Sequence, residues 1–162
     1  MAKIEIEPIG FVRGARQTAE DDFWGGRTSS IVLDDRFEAG ALAGLEEFSH
    51  VEVIFHFDRA DPAKIVTGAR HPRNNAAWPE VGVFAQRAKG RPNRLGSTIC
   101  RILAVEDRAL RVLELDAIEG TPVIDLKPVM AEFLPRGAIR QPPWSVELMR
   151  EYWSAADESG SE

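Results

Sequence analysis

The feature that most constrains the fold is a series of short apolar runs with turn residues between them. Each run has the length and composition of a β-strand, and several alternate between apolar and polar residues. The runs cover residues 4–12, 30–33, 50–57, 81–85, 97–103, 110–115 and 121–126. Short strands joined by turns are typical of a barrel or a strongly curled sheet. We therefore expect a mainly β protein, a small closed or curled β-barrel of six to seven strands with peripheral helices.

Two segments have helical spacing. Residues 37–45 contain good helix formers, although Gly40 weakens the pattern. After Pro142 and Pro143, apolar residues recur every three or four positions as far as Trp153, which predicts a C-terminal amphipathic helix. Trp144 and Trp153 on this helix are expected to pack on the barrel or to form dimer contacts. We expect a single domain in which residues 1–136 form the barrel and residues 137–162 form the helix and tail.

Two loops stand out between the predicted strands. Residues 58–79 form a long excursion rich in Asp, Pro, Gly and Asn, and long loops in compact domains are often functional. Residues 82–96 hold four cations within eight positions, in a chain whose net charge is −6. Such a loop is suited to binding carboxylate or phosphate groups or a polynucleotide backbone, and equally to a solvated turn. The cations are Arg87, Lys89, Arg91 and Arg94.

Composition narrows the classes of function. The acidic balance argues against general nucleic-acid binding, although a local basic groove remains compatible with it. We expect a cytoplasmic protein without membrane association, because no stretch is apolar enough for a bilayer span or a signal peptide. The lone Cys100 excludes an internal disulfide and is expected in the core. Three scattered histidines and one cysteine give no spacing for a metal site.

Four blocks of the sequence resemble the TrmO family, also called TsaA-like or YaeB-like proteins. Residues 9–13 and 44–50 form the first two blocks. Residues 82–96, GVFAQRAKGRPNRLG, are similar to the family's GVFATRSxxRPNPIG. Residues 115–128, LDAIEGTPVIDLKP, are similar to the family's LDxxDGTPVLDIKPY. The blocks follow the family's order and span most of residues 5–130.

The resemblance implies a β-barrel that binds S-adenosylmethionine and usually pairs into a homodimer. It also implies methylation of N6 of the threonylcarbamoyl-adenosine next to the tRNA anticodon. Arg87 and Arg91 are expected to hold the donor's carboxylate or acceptor phosphates, and Gly82 and Gly96 to let the backbone approach a ligand. The donor-binding positions carried over are Arg87, Arg91, Pro92, Asn93, Gly96, Asp58, Arg59, Asp116, Gly120 and Thr121.

Asp116 and Asp125 are the candidate catalytic residues, because either carboxylate could lie near the sulfonium or receive the acceptor's proton. The simpler interpretations are that Asp116 is a turn residue and that Asp125 lies on the wet side of a strand. His50 is expected to form a structural hydrogen bond.

The chain also departs from the family pattern. Ala88 and Arg94 replace the family's Ser and second Pro, and the family's early SPF…PRQ element is missing, so that Trp24 and Gly25 become its candidate substitutes. Three functions follow as hypotheses: a tRNA methyltransferase, a methyltransferase with a small-molecule or other acceptor, and a non-catalytic S-adenosylmethionine-binding dimer.

Overall fold

The computed structural model describes residues 2–156 and contains a closed six-stranded antiparallel β-barrel. The strands are β1 Gly10–Arg13, β2 Thr28–Leu33, β3 His50–His56, β4 Ala69–Arg70, β5 Val81–Gly82, β6 Leu95–Glu106, β7 Ala109–Leu113 and β8 Pro122–Pro128. The barrel strands follow the order β1-β2-β7-β6-β3-β8, and β8 pairs with β1 to close the barrel. The remaining strands, β4 and β5, form a separate two-stranded sheet. The expected mainly β fold with a closed barrel is confirmed.

Helical structure is sparse in residues 2–156. One α-helix, α1, spans Pro143–Leu148. Short 3₁₀ turns account for the rest, and no helix in this part of the chain is long and apolar enough to cross a membrane. The 3₁₀ turns are Ala39–Leu42, Leu45–Glu47, Pro62–Lys64, Pro72–Asn74, Val83–Ala85, Pro92–Arg94 and Ala131–Phe133.

The barrel interior is filled by the apolar residues of alternating strands. In β3, Val51, Val53 and Phe55 are buried, whereas the residues between them are only partly buried. This period of two puts one face of the strand inside the barrel. Cys100 of β6 is 1% exposed, which confirms its expected core position. Burial raises the pKa of its thiol, so the group stays neutral and unreactive.

Three of the connections between barrel strands lie at the same end of the barrel. Strands β1, β3 and β7 run in one direction, and every neighbouring pair in the barrel is antiparallel. The connections that follow these strands, residues 14–27, 57–94 and 114–121, therefore meet at one end, here called the loop end. The opposite end carries residues 34–49 and the tight turn at 107–108. The fold thus brings the family-like block at 82–96 and the first part of the block at 115–128, residues 115–121, to the loop end.

Three predicted elements are wrong in extent or type. The helix expected over residues 37–45 is replaced by two 3₁₀ turns. Gly44 between them has a φ of +93°, which no right-handed helix can continue through. The first strand starts at Gly10, and Ile4 and Ile6 before it are exposed. Of the expected strand at 81–85, only Val81–Gly82 is extended, and it pairs with β4 outside the barrel.

The C-terminal helix exists but ends at Leu148 instead of reaching Trp153. The chain beyond it docks on the β1–β2 connection, where carbonyl oxygens of residues 151, 152 and 154 accept hydrogen bonds from the backbone N–H groups of Phe23, Trp24 and Gly25 at 3.1, 2.9 and 3.2 Å. These contacts take the place of further helical turns. The segment therefore packs on its own barrel, and the tail predicted beyond residue 156 lies outside the described residues.

Candidate functional site

Arg59 links the three connections of the loop end. Its Nη2 donates a hydrogen bond to the carbonyl oxygen of Glu119 in the β7–β8 connection at 3.1 Å. Its Nη1 reaches the carbonyl oxygen of Gln17 in the β1–β2 connection at 3.5 Å. The carboxylate of Glu119 in turn accepts from the backbone N–H of Ala15 at 2.9 Å. Arg59, expected in the donor site, is thus at the centre of this end of the barrel.

Gly120 and Thr121 form the turn beside Arg59. Gly120 has a φ of +79°, a conformation that side chains rarely tolerate, and its N–H donates to the carbonyl oxygen of Val12 at 2.8 Å. A Cβ at this position would lie 3.4 Å from Nη2 of Arg59. Thr121 is buried. The structure therefore brings Arg59, Gly120 and Thr121, three sequence-predicted donor-site residues, into one cluster.

Residues 82–96 are here called the basic loop. Its arginines form hydrogen bonds that partly hold the loop itself together. Arg87 donates through Nη2 to the carbonyl oxygen of Ser97. Arg91 donates through Nη1 to the carbonyl oxygen of Gln86 at 2.6 Å. Because each guanidinium has five N–H donors, these contacts orient the side chains without exhausting them. Arg94 departs from the family pattern, and its Nη1 donates to the carbonyl oxygen of Ala60 at 3.0 Å.

The basic loop is therefore tied to the turn that follows β3. Arg94 also approaches the carbonyl oxygen of Asp58 at 3.4 Å. Burial and the nearby Arg94 lower the pKa of His56 at the end of β3. Pro92 starts a 3₁₀ turn in which Asn93 has a φ of 61°. Asn adopts the left-handed conformation more readily than most residues, which explains its place here.

Gly82 and Gly96, two of the three glycines of residues 82–96, have different surroundings. A Cβ on Gly96 would lie 2.6 Å from the ring of Phe55 and 2.9 Å from the ring of Phe57. Gly96 therefore makes room for aromatic packing inside the barrel. A Cβ on Gly82 would meet nothing within 4 Å, so this position leaves open space at its surface.

Asp116 lies in a hydrogen-bonded cluster at the loop end. Thr98 donates through its hydroxyl to Oδ1 of Asp116, and Tyr152 donates through its phenol to Oδ2. Burial, and then the Asp116 carboxylate, raise the pKa of Tyr152, which is therefore a neutral donor. Tyr152 was expected on one face of the C-terminal helix. Its hydrogen bond to Asp116 was not predictable from the spacing of apolar residues in the sequence.

Asp125 is separated from Asp116. Its Oδ2 pairs with Nζ of Lys127 at 2.5 Å, and its Oδ1 accepts from the backbone N–H of Leu126 at 2.9 Å. It lines a pocket of about 540 Å³ with residues of the 34–49 connection, at the opposite end of the barrel. The two candidate catalytic carboxylates therefore belong to different sites. His50 contacts the hydroxyl of Ser49 through Nδ1 at 2.7 Å, in keeping with a structural role.

A smaller pocket, here called the Arg16 pocket, opens at the loop end and was not anticipated. Its volume is about 210 Å³. The guanidinium of Arg16 lies 4.0 Å from the ring centroid of Trp24 and donates to the carbonyl oxygens of Asp22 and Phe23 at 3.1 and 2.5 Å. Trp24 was a candidate substitute for the missing family element, and it does contribute to this pocket. The lining residues are Gly14, Ala15, Arg16, Trp24, Arg27, Thr28, Ser29, Leu115 and Ala117.

Gly25, the other candidate substitute, serves the C-terminal segment instead. A Cβ on it would lie 2.0 Å from the carbonyl oxygen of Trp153. An ion pair between Arg73 and Asp22 at 2.9 Å ties the long 57–94 connection to the same region. Within residues 2–156, no group of three or more His, Cys, Asp or Glu side chains is arranged to hold a metal ion.

Comparison with known proteins agrees with this architecture. Residues 19–133 match the family model of the tRNA-methyltransferase O N-terminal domain. A solved structure of TrmO from Pseudomonas aeruginosa superimposes with a TM-score of 0.71 at 26% sequence identity, covering 89% of this chain and 62% of that one.

Two curated relatives differ in length from one another. The tRNA (adenine(37)-N6)-methyltransferase of Homo sapiens is 40% identical over 57% of this chain, but that match spans only 21% of the human protein. An S-adenosyl-L-methionine-binding protein of Archaeoglobus fulgidus is 34% identical over 75% of this chain and 86% of its own length. This chain therefore matches about a fifth of the length of the human relative and most of the length of the archaeal one.

Proposed function

This chain belongs to the tRNA-methyltransferase O N-terminal domain family, and we propose that it is an S-adenosylmethionine-dependent methyltransferase. The proposed acceptor is N6 of the threonylcarbamoyl-adenosine beside the tRNA anticodon. We also propose that the protein is cytoplasmic, where it would meet tRNA. The single observation that carries the proposal is that residues 82–94 and 115–121 of the family-like blocks converge, with the turn at Asp58 and Arg59 after β3, at one end of the barrel.

The loop end has the groups that the donor requires. S-adenosylmethionine supplies a methyl group on a sulfonium cation, together with an ammonium, a carboxylate and an adenine. Arg59 and Arg91 are cations suited to the carboxylate. Asp58 and Asp116 are carboxylates suited to the ammonium or sulfonium. Gly120 leaves the backbone of the β7–β8 turn open beside Arg59, where a ligand could approach.

These groups are already fixed in place before any ligand binds. Arg59 is held by two backbone carbonyls, Arg91 by one, and Asp116 by two hydroxyl groups. Methyl transfer is an in-line displacement that depends mainly on alignment, so fixed binding groups lower the entropic cost of reaching the reactive geometry. Pro92 contributes by stiffening the basic loop at the start of its 3₁₀ turn, because the proline ring fixes φ.

Of the two candidate carboxylates, we assign the catalytic role to Asp116. When N6 of the adenosine gains the methyl group it must lose a proton, and a carboxylate at the loop end is a suitable acceptor. Both oxygens of Asp116 already accept hydrogen bonds, from Thr98 and Tyr152. Each carboxylate oxygen has a second lone pair, so Asp116 can take up the proton while both contacts orient it.

The proposal is tested by assaying methyl transfer from radiolabelled S-adenosylmethionine to tRNA that carries threonylcarbamoyl-adenosine. Asp116→Asn is expected to lower the rate by about a hundredfold or more, the usual contribution of a general base. Asp125→Asn is the matched control, because it makes the same change to a carboxylate that lies at the other end of the barrel. This variant should leave the rate unchanged. Equal losses in both variants, or no transfer by the wild-type protein, would contradict the proposal.

A homodimer is part of the proposed function. Residues 130–143 are all exposed. They include several large apolar side chains that the rest of their own chain does not bury. An exposed apolar segment of this kind is suited to an interface between two copies. Light scattering after size exclusion should give a dimer whose dissociation constant rises in Phe133→Ser. The exposed apolar residues are Met130, Phe133, Leu134 and Ile139.

A non-catalytic donor-binding protein is the second candidate. The Archaeoglobus fulgidus relative, most of whose length this chain matches, is named for S-adenosyl-L-methionine binding alone. Calorimetric titration with S-adenosylmethionine distinguishes this candidate when it is combined with the tRNA assay. Binding without methyl transfer to tRNA would favour it, and methyl transfer to a small molecule but not to tRNA would favour a different acceptor.

A further inference from the structure

Helix α1 and the docked C-terminal segment together contact all three connections of the loop end. The backbone of the segment accepts hydrogen bonds from the β1–β2 connection. Nε1 of Trp78, in the 57–94 connection, donates to Oε2 of Glu147 in α1 at 2.9 Å. The phenol of Tyr152 donates to Oδ2 of Asp116 in the β7–β8 connection. This part of the chain therefore completes the loop end from outside the barrel strands.

Tyr152 is fixed by its own backbone. Its N–H donates to the carbonyl oxygen of Met149 at 3.1 Å, and its carbonyl oxygen accepts from the N–H of Trp24 at 2.9 Å. Its ring packs edge-on against the ring of Trp153, with the centroids 4.9 Å apart. Packing and backbone hydrogen bonds of this kind hold a side chain in one orientation. Tyr152 therefore presents its O–H group to the loop end from a fixed position, although it lies beyond residues 19–133, the part of the chain that matches the family model.

The phenol remains a hydrogen-bond donor to the carboxylate. Burial and then the Asp116 carboxylate raise the pKa of Tyr152, and the nearby cations Arg73 and Arg87 offset this shift only in part. An ionised carboxylate can only accept hydrogen bonds, so the phenol proton points toward Asp116. With Thr98 on the other oxygen, the carboxylate is held at both ends. A general base must lie within hydrogen-bond reach of the proton that it removes, so the orientation of this carboxylate governs how well it can act.

We propose that Tyr152 is a positioning residue for methyl transfer, which orients the Asp116 carboxylate to receive the proton from N6 of the acceptor. The inference rests on the proposed function, in which Asp116 is the base. Because Tyr152 acts through Asp116, it should affect the chemical step and not the binding of the donor or the acceptor. The barrel thus carries the base, and the C-terminal segment fixes its direction.

The test compares Tyr152→Phe with the wild-type protein in the assay of methyl transfer to tRNA that carries threonylcarbamoyl-adenosine. The substitution keeps the aromatic ring and removes the O–H group. We expect kcat to fall about tenfold with KM unchanged for both substrates, because a misaligned base slows the reaction without weakening binding. Glu151→Gln is the matched control, since it changes the neighbouring exposed side chain and keeps the backbone hydrogen bond to Phe23. This variant should leave kcat unchanged.

A double-mutant cycle separates positioning from a general structural role. If Tyr152 acts through Asp116, Tyr152→Phe has no further effect on the rate once Asp116→Asn is present. Additive losses in the double variant would overturn the inference, as would an unchanged kcat or a raised KM in Tyr152→Phe alone. Failure of the proposed function gives a different result: the wild-type protein transfers no methyl group, or Asp116→Asn keeps the full rate, and the inference then falls with it.

Discussion

Gly96 shows how a residue of the basic loop makes room for packing inside the barrel. Because a Cβ would lie 2.6 Å from the ring of Phe55, Gly96→Ala is expected to destabilise the protein by roughly 1–3 kcal/mol, the usual cost of overpacking. Gly82→Ala is the matched control in the same loop. Its φ of −59° and open surroundings should make it neutral or stabilising by about 0.4–1 kcal/mol. Urea denaturation measures both, and an unaffected Gly96→Ala would show that the rings can shift.

Tyr152 offers a direct measurement because it is the single tyrosine of the chain. Burial and Asp116 raise its pKa, so the native protein should form no tyrosinate at pH values near about 10, where the unfolded chain ionises. The stability that this shift provides is complete below that pH and is lost as the pH rises above it. Ultraviolet absorbance follows the titration. In Asp116→Asn the pKa should fall toward its ordinary value, and a pKa unchanged by this substitution would contradict the contact.

At the residue scale, the sequence predicted which residues lie at the loop end better than it predicted their hydrogen-bond partners. Gly120 and Thr121 were expected at the site and lie there beside Arg59, because the turn that they form is local. The partners of Asp116 were not foreseeable. Thr98 lies on another strand and Tyr152 follows a helix that is shorter than its apolar spacing suggests, so both contacts depend on tertiary structure.

The docked C-terminal segment is the element whose position can be tested most simply. Gly25 leaves no room for a Cβ against the carbonyl oxygen of Trp153, so Gly25→Ala should displace residues 151–154 from the β1–β2 connection. Trypsin should then cleave after Arg150 several times faster than in the wild-type protein, because local opening exposes the backbone. Gly40→Ala, where a Cβ meets nothing, is the control. Equal cleavage rates in the two variants would contradict the docking.

At the scale of elements, strands were predictable and helices were not. The apolar runs at residues 50–57, 97–103 and 110–115 are encoded locally, so strands β3, β6 and β7 were expected and are present. The helical spacing of residues 37–45 was misleading, because Gly44 adopts a left-handed conformation. The C-terminal helix is shorter than its apolar spacing predicted. The carbonyl oxygens of residues 151, 152 and 154 accept hydrogen bonds from residues 23–25, and these bonds replace helical ones. In both cases a local pattern was overridden by the surroundings.

For the whole molecule, the net charge of −6 and the basic loop make opposite contributions to tRNA binding. If tRNA contacts the loop end, Lys89→Ala should reduce the slope of log affinity against log salt by about one, because one phosphate contact is lost. Arg108→Ala changes a cation in the 107–108 turn at the opposite end and should leave the slope unchanged. Filter binding over a range of salt concentrations measures both. A similar change of slope in both variants would show that tRNA binding depends only on the total charge of the protein and not on the position of the cation.

The barrel as a whole was predictable from the number and spacing of the strands. Whether the barrel is closed or only curled was left open by the sequence. What remained open was the order of strands, which decides that three connections meet at one end. That order depends on pairings such as β1 with β8, which are distant in sequence and leave no local signal.

The pairing of β8 has a consequence for synthesis of the protein. This last strand fills the gap between β3 and β1, joining β1 through only two residue pairs, Gly10 with Val123 and Phe11 with Pro122. Until residue 128 has left the ribosome, the other five strands can form only an open sheet with two unpaired edges. Exposed edges recruit strands of other chains. Misassembly during translation should therefore be most frequent in the interval before β8 emerges, and slow decoding of residues 114–128 would prolong it.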